Sequence, residues 1–336
     1  MERVIFVAGR CIDRRQSELL SIANQAGLFV VRDFRQLEWD DQLEEDCRTL
    51  TKLAVQEDLG LLQDWTTVAL VPAERTGTAH IVARERGIVA GIQSLATVLE
   101  EMQAGVDVEI KASDGDSIAA NTTVATLRGK VRDILTCERT LLNLLARLMG
   151  IATLSNQYVQ TVQGTGARIY DTRKTTPGYR RLEKYAVRCG GGCNHRTGLY
   201  DAILIKDNHL AQRAERDGAD PAAAVTLARE FLQRSISEGC NSDLLVEIEV
   251  DNLMQLETVL PSQPDIVLLD NMTPAELRKA VQMRTHLAPE VQLEASGGVH
   301  LKNLREIAET GVDRISVGAL THSARSLDIG LDWNSR

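Results

Sequence analysis

Apolar residues follow two rhythms along this chain, and the change falls near Gly166. Ahead of it, Asp40–Val55 starts acidic and carries Leu43, Leu50, Leu53 and Ala54, a pattern that predicts a helix. Thr78–Arg84 and Ile88–Ile92 read as strands around Glu85-Arg86-Gly87, a hairpin-type turn. Val106–Lys111 and Thr123–Leu127 add two strands parted by Ser113-Asp114-Gly115-Asp116, and Leu95–Met102 fits a short helix. These runs predict a small sheet-rich domain. Ile134–Val162 is the longest helical pattern, with Leu141, Leu145, Leu148 and Ala152 on one face and Gly150 as a point of interruption or kink. Residues 1–45 are otherwise weakly patterned and carry no readable chemistry.

Beyond Gly166, short apolar strands alternate with helical stretches. Strands read at Ala167–Tyr170, Ala202–Ile205, Leu244–Val250, Ile266–Leu269, Val291–Glu294 and Arg314–Val317. Helices fit between them at Pro221–Ser237, Leu253–Leu260, Pro274–His286 and Leu301–Glu309. This alternation predicts a parallel sheet, open or closed into a barrel. The polar residues follow the same rhythm. The strands run into Asp171-Thr-Arg173-Lys174, Lys206-Asp-Asn-His209, Asp270-Asn271, Ser296-Gly297-Gly298 and Gly318, and the third contains Glu247 and Glu249. Polar groups gathered at strand C-termini are how a (β/α) barrel builds an active site.

Composition narrows the choice. With 336 residues, 43% hydrophobic and 25% charged, the chain is an ordinary globular protein of two domains or one large α/β unit. A net charge of −9 and 4% aromatic residues argue against a broad nucleic-acid surface. No apolar run approaches a membrane span, and the Val4–Ala8 run is shorter than a signal-peptide core, so a cytoplasmic protein with no membrane partner is expected. Six scattered cysteines predict reduced thiols.

The acidity is uneven. Between Arg168 and Arg213 ten basic residues face four acidic ones. Several sit at strand ends or beside Gly190-Gly-Gly192, which points to a pocket for an anionic substrate. Arginine grips a carboxylate or phosphate with two parallel hydrogen bonds, and lysine acts as a point charge. Ser296-Gly297-Gly298 precedes a helix N-terminus and Gly318 holds the matching place after the last strand, the usual phosphate site of such barrels. Glu249 and Asp270 at adjacent strand ends suit Mg²⁺ or ribose hydroxyls. Two competing readings are a zinc fragment from Cys189, Cys193 and His195, which lacks a fourth ligand, and a Schiff-base role for Lys206.

Several stretches carry a family resemblance. The strongest runs from Asp171-Thr-Arg-Lys-Thr-Thr-Pro-Gly-Tyr-Arg-Arg through Gly190-Gly-Gly and Asn194-His-Arg to Lys206-Asp-Asn-His209. Others are Glu57-Asp-Leu-Gly, Glu138-Arg-Thr-Leu-Leu-Asn, Glu247-Ile-Glu-Val, Leu269-Asp-Asn-Met, Glu294-Ala-Ser-Gly-Gly-Val and Gly311-Val-Asp-Arg-Ile-Ser-Val-Gly. In these the chain resembles the quinolinate phosphoribosyltransferase family, the carboxylating nicotinate-nucleotide pyrophosphorylases. The resemblance implies an α/β fold of the type II phosphoribosyltransferase kind. Its parts are an N-terminal α/β sandwich over residues 46–165, rejoined by residues 320–336, and an incomplete (β/α) barrel over residues 166–319, behind an extension at residues 1–45. It implies conversion of quinolinate and phosphoribosyl pyrophosphate to nicotinate mononucleotide, pyrophosphate and CO₂ in NAD biosynthesis. Mg²⁺ is the implied cofactor, and a homodimer with shared sites, or a hexamer of such dimers, the implied assembly. Carried over by motif, Arg173, Lys174, His195, Arg196 and Lys206 hold quinolinate, with Arg139 from the partner subunit. Lys174, Ser296, Gly297, Gly298 and Gly318 take the phosphosugar, and Glu249 and Asp270 meet the ribose and, directly or indirectly, the metal. Lys206, Arg139, Glu249 and Asp270 are the expected catalytic set. The chain departs from the family at Gln63-Asp64, at Met149 and in a long Arg213–Asp243 stretch.

Overall fold

The computed structural model describes residues 5–8, 30–217, 220–237 and 244–333. They form two compact units, and neither is continuous in sequence. The first takes the described residues of Met1–Gln36, Thr161–Arg173 and Asn194–Val317; the second takes those of Leu37–Gln160, Lys174–Cys193 and Gly318–Arg336.

The first unit is built on six strands, Arg168–Tyr170, Ala202–Ile205, Leu245–Val250, Ile266–Asp270, Gln292–Ser296 and Arg314–Ser316. All pair in parallel. The Arg168 strand lies beside the Arg314 strand, and the rest follow in descending order to the Ala202 strand at the far edge. That is the circular order of a (β/α) barrel with one seam, between the first and second strands, left unpaired. Helices at Pro221–Ser237, Leu253–Val259, Pro274–Leu287 and Leu301–Ala308 separate the strands as the alternation predicts. The Pro274 helix starts with a capping box between Thr273 and Glu276. A further helix, Asp207–Asp217, follows directly on the second strand, where polar strand-end residues had hidden it.

Strand register sets which side chains look inward. Glu247 stands opposite Ile266, Leu268 opposite Glu294, Glu294 opposite Arg314, and Asp270 opposite Ser296. With a side-chain period of two, these residues and Glu249 share one face, and the alternate residues Val246, Ile248, Val267, Leu269 and Leu293 form a buried apolar face. Near the strand starts, Phe34 packs with Ala202, Leu245 and Ile266. The expectation that residues 1–45 form an extension is therefore corrected over its second part. Val30–Asp33 is a strand, Asp33 and Phe34 are buried within the barrel unit, and the helix expected from Asp40 begins at Asp41 under an Asp40 cap. Asp33 and Phe34 fill a polar and an apolar vacancy that the short strands alone leave. Residues 1–4 and 9–29 of that extension, with Cys11, lie outside the described residues, as does Cys240.

The second unit carries a four-stranded antiparallel sheet in the order Ile329–Trp333, Thr76–Ala83, Thr122–Lys130, Val106–Ile110. The long helix Val131–Thr161 buries Leu141, Leu145, Leu148 and Met149. That helix is unbroken at Gly150: a methyl there would stand 2.0 Å from the Arg325 carbonyl oxygen, so glycine admits the C-terminal segment rather than a kink. The Ile88–Ile92 strand shrinks to Gly87–Ile88, because Ile92 N–H turns to the Asp114 carboxylate and Val89 N–H to the Asp116 carbonyl. Lys174–Cys193, drawn from the sequence inside the barrel domain, groups with this unit instead. Its helix Arg180–Cys189 buries Leu182, Ala186 and Val187, and Arg147 on the long helix meets the wholly buried Glu183 at 2.6 Å.

Candidate active site

The strand ends of the barrel unit bring together most of the residues singled out in the sequence. Lys206, Glu249, Asp270 and Ser296 are half-buried at or just past the C-terminal ends of four consecutive strands. Lys206 Nζ donates to Glu249 Oε2. Asp270 Oδ2 accepts from Asn271 Nδ2 at 2.7 Å, and Asn271 N–H donates to the Ser296 carbonyl at 2.9 Å. Those bonds shape the glycine turn beside them. Gly297 has φ +88, and a methyl on it would stand 2.2 Å from Asn271 Oδ1, so any side chain there is strained by its backbone and crowded by Asn271. Exposed backbone at Gly297 and Gly298 leads into the helix Leu301–Ala308, an arrangement suited to an anion.

Asp171, wholly buried after the first strand, holds the segment beside the seam. Its Oδ2 accepts from Asn194 Nδ2 at 2.7 Å and its Oδ1 from His195 N–H at 2.8 Å. Arg196 is 6% exposed and donates weakly, at 3.4 Å, to the Ala202 carbonyl of the second strand. Its Nε is buried and has no hydrogen-bond partner among the described residues. Burial, and then the charge of the neighbouring Arg173, push the Arg196 guanidinium pKa down. The buried Arg196 guanidinium thus sits beside a second positive charge, an electrostatic setting that suits an anion.

A second polar layer lies deeper; His195 and Glu247 stand out in the sequence, and Asp33, Arg168, Tyr170, Glu294 and Arg314 are given no role there. Arg314 is wholly buried, with its guanidinium 3.6 Å from the Tyr170 ring centroid. It donates to Glu294 Oε2 and to Asp33 Oδ1, each at 2.8 Å. Asp33 also accepts from Arg168 at 2.9 Å and Tyr170 Oη at 2.8 Å. Burial works to raise the Asp33 pKa, but Arg314 and Arg168 outweigh it and hold the carboxyl below its ordinary value. His195 Nε2 lies 3.1 Å from Glu247 Oε2 and 3.5 Å from Glu294 Oε1. Burial pushes Glu247 up to about 7, against the pull of Arg314, Arg196 and Lys206. The donor atoms of His195, Glu247 and Glu294 lie within 4.8 Å of one another, close enough to share a cation or a proton. Cys189 and Cys193 join no such group among the described residues. The signal for this layer was present in the sequence: a charge inside an otherwise apolar strand, at Glu247, Glu294 and Arg314.

Arg139, Lys174 and Gly318 belong to the second unit. Arg139 is exposed on the long helix, one turn before exposed Asn143. Lys174 is exposed, and its carbonyl accepts from Thr321 Oγ1 at 2.7 Å. A methyl on Gly318 would come 3.0 Å from Lys174 Cδ. The loop after Lys174 is anchored by Glu183, which accepts from Thr176 N–H at 3.1 Å and Thr176 Oγ1 at 2.9 Å.

Comparison with known proteins gives these features a lineage. Residues 151–332 match the quinolinate phosphoribosyl transferase C-terminal domain, and residues 64–149 match the N-terminal domain of the same family. A nicotinate-nucleotide pyrophosphorylase [carboxylating] of Mycobacterium leprae is 45% identical over 288 residues, 85% of this chain and 96% of the relative. A probable nicotinate-nucleotide pyrophosphorylase [carboxylating] of Bacillus subtilis is 37% identical over 82% of this chain and 89% of its own length. Among solved structures, the nicotinate-nucleotide pyrophosphorylase of Francisella tularensis superposes with a TM-score of 0.80 at 34% identity, covering 90% of this chain and all (100%) of that one. Both halves of the chain and nearly the full length of its relatives agree, so this protein belongs to the quinolinate phosphoribosyl transferase family.

Proposed function

We propose that this protein transfers the phosphoribosyl group of phosphoribosyl pyrophosphate to the ring nitrogen of quinolinate and releases pyrophosphate, CO₂ and nicotinate mononucleotide, a step of NAD biosynthesis. The observation that carries the reading is the buried Arg196 guanidinium, under-bonded and repelled by Arg173. A planar dicarboxylate answers both defects. Arg173, Arg196 and Lys206 clamp the quinolinate carboxylates, with His195 behind Arg196; the family motif adds Lys174 and, from the partner of a homodimer, Arg139. Ser296, Gly297, Gly298 and Gly318 take the 5′-phosphate.

The chemistry follows from that placement. The bond between the ribose anomeric carbon and pyrophosphate breaks, and its electron pair leaves with pyrophosphate. Positive charge develops on the ribose, where Glu249 and Asp270 oppose it. The clamp aims the pyridine nitrogen lone pair at the same carbon, so the new bond forms without a search through orientations. The carboxylate beside the new pyridinium nitrogen then leaves as CO₂. Its electron pair stays on the ring carbon, stabilised by the adjacent charge, until a proton replaces it. Lys206, released from Glu249 as substrate binds, is the donor assigned to that proton, with Arg139 of the partner subunit as the alternative. Glu249 and Asp270 offer hard carboxylate oxygens at adjacent strand ends, a donor set that fits Mg²⁺ together with phosphate oxygens. When bound, Mg²⁺ offsets charge on the departing pyrophosphate.

The deciding experiment compares quinolinate with nicotinate as acceptor while CO₂ release is followed. Turnover with quinolinate and stoichiometric CO₂ is expected; preference for nicotinate overturns the assignment. Within it, Arg173→Ala should greatly weaken quinolinate binding and spare phosphoribosyl pyrophosphate.

A further inference from the structure

Building on that function, we infer that His195 works as a neutral positioning residue, held in its Nε2–H form by Glu247 and setting Arg196 through its other nitrogen, and is not a cation that grips substrate. Both ring nitrogens are engaged inside the barrel unit. His195 Nδ1 accepts the backbone N–H of Arg196 at 2.8 Å. That donor cannot reverse, so Nδ1 carries no proton while the bond stands. The ring proton therefore sits on Nε2 and is donated to Glu247 Oε1 at 3.3 Å, with Glu247 Oε2 at 3.1 Å and Glu294 Oε1 at 3.5 Å close by but outside hydrogen-bond geometry. A ring flipped by 180° would turn carbon toward both partners, so the orientation is fixed by the same bonds.

Charged groups of both signs surround the ring. Glu247 and Glu294 face Nε2, Asp171 accepts the His195 backbone N–H, Arg314 is bonded to Glu294, and the Arg196 guanidinium follows in sequence. The geometry decides, because an imidazolium would press an Nδ1–H against the Arg196 N–H at 2.8 Å. The Phe34 ring, with its centroid 4.3 Å from that of His195, closes one side to water. The same reasoning removes the trio of His195, Glu247 and Glu294 as a metal site. A metal on Nε2 needs its proton moved to Nδ1, where the Arg196 donor already points. What the trio transmits is the position of the Arg196 backbone, and with it the aim of the guanidinium. Glu247, supported by Glu294 and Arg314, is thus a positioning residue two steps removed from substrate.

The test needs no turnover. In the ¹⁵N spectrum of histidine-labelled full-length protein, with His195 assigned through His195→Gln, Nε2 should appear protonated and Nδ1 unprotonated, unchanged between about pH 6 and 8. A doubly protonated ring, or a proton on Nδ1, overturns the inference and leaves the proposed reaction standing. Kinetics give an independent readout. Glu247→Leu should raise KM for quinolinate on the order of ten- to a hundredfold, with KM for phosphoribosyl pyrophosphate unmoved. Glu247→Gln keeps an acceptor oxygen and should stay near the native KM. A Gln variant as impaired as Leu shows that charge, not acceptance, is what His195 needs, and defeats the proposal. Should Glu247→Leu not fold, the native spectrum and the Gln variant decide.

Discussion

Arg314 shows how much one inward-facing charge is asked to hold. It is wholly buried and bonded to Glu294 and Asp33. Burying a lone charge is so costly that the partners are obligatory, and removing one leaves the others uncompensated, at about 3–5 kcal/mol. Asp33→Asn should therefore destabilise the native protein at neutral pH by about 3 kcal/mol. The sign with pH follows from the lowered Asp33 pKa. A carboxyl depressed in the folded state stabilises above its ordinary value and loses that contribution as pH falls through the depressed one. Urea unfolding of the native and Asn proteins should show the widest gap near neutrality and convergence in acid; a gap independent of pH would contradict the pairing. Gly297→Ala belongs to the same scale. With φ +88 and Asn271 Oδ1 2.2 Å from the new methyl, strain of about 1–3 kcal/mol falls on the glycine turn. KM for phosphoribosyl pyrophosphate should rise while KM for quinolinate changes little. At this scale the sequence was partly legible. Lys206, Glu249, Asp270 and the Ser296-Gly297-Gly298 turn declare themselves by standing where apolar strands end. Asp33 and Phe34 do not, because their partners lie far along the chain and nothing local marks them.

At the scale of elements, the long helix sets local propensity against packing. Alanine is a better helix former than glycine by about 1 kcal/mol, so Gly150→Ala read locally is stabilising. The Arg325 carbonyl 2.0 Å from the added methyl reverses this, because overpacking costs about 1–3 kcal/mol and backbone on both sides limits relief. Thermal unfolding should show a lower midpoint for Gly150→Ala; a rise would mean the C-terminal segment yields freely. The neighbouring helix Arg180–Cys189 carries Glu183, which joins Arg147 to Thr176. Glu183→Ala should loosen the loop after Lys174 and raise KM for the substrates more than it lowers kcat. Elements were the most legible level, since periodicity alone found the six barrel strands and four of the helices between them. It failed at Ile88–Ile92, where an apolar run turns away from strand pairing, and at Asp207–Asp217, where polarity masked a helix start.

For the whole molecule, charge is distributed with purpose. A chain of net charge −9 gathers ten of its 38 Lys and Arg between Arg168 and Arg213, the stretch that holds Arg173, Arg196 and Lys206. Binding of both substrates should weaken as salt rises, more steeply than the overall negative charge would suggest. Among the described residues no helix is long and apolar enough to cross a membrane. Phe34→Ala, which empties space among Ala202, Leu245 and Ile266, should cost the molecule about 3–5 kcal/mol. The division into two units was the least legible property, because each is assembled from three separated stretches and composition does not change at the joins. That interleaving governs the order of events at the ribosome. Asp33 emerges early, yet its partner Arg314 follows 281 residues later. At about 5–20 residues per second, the wait is on the order of 15–60 seconds. The sheet of the second unit, too, pairs Ile329–Trp333 with Ala79–Ala83, so the strand beside Thr76–Ala83 is made about 250 residues after it. The buried Asp33–Arg314 pair therefore forms only after most of the barrel unit has been synthesised, and a chain cut before Arg314 leaves Asp33 without that partner.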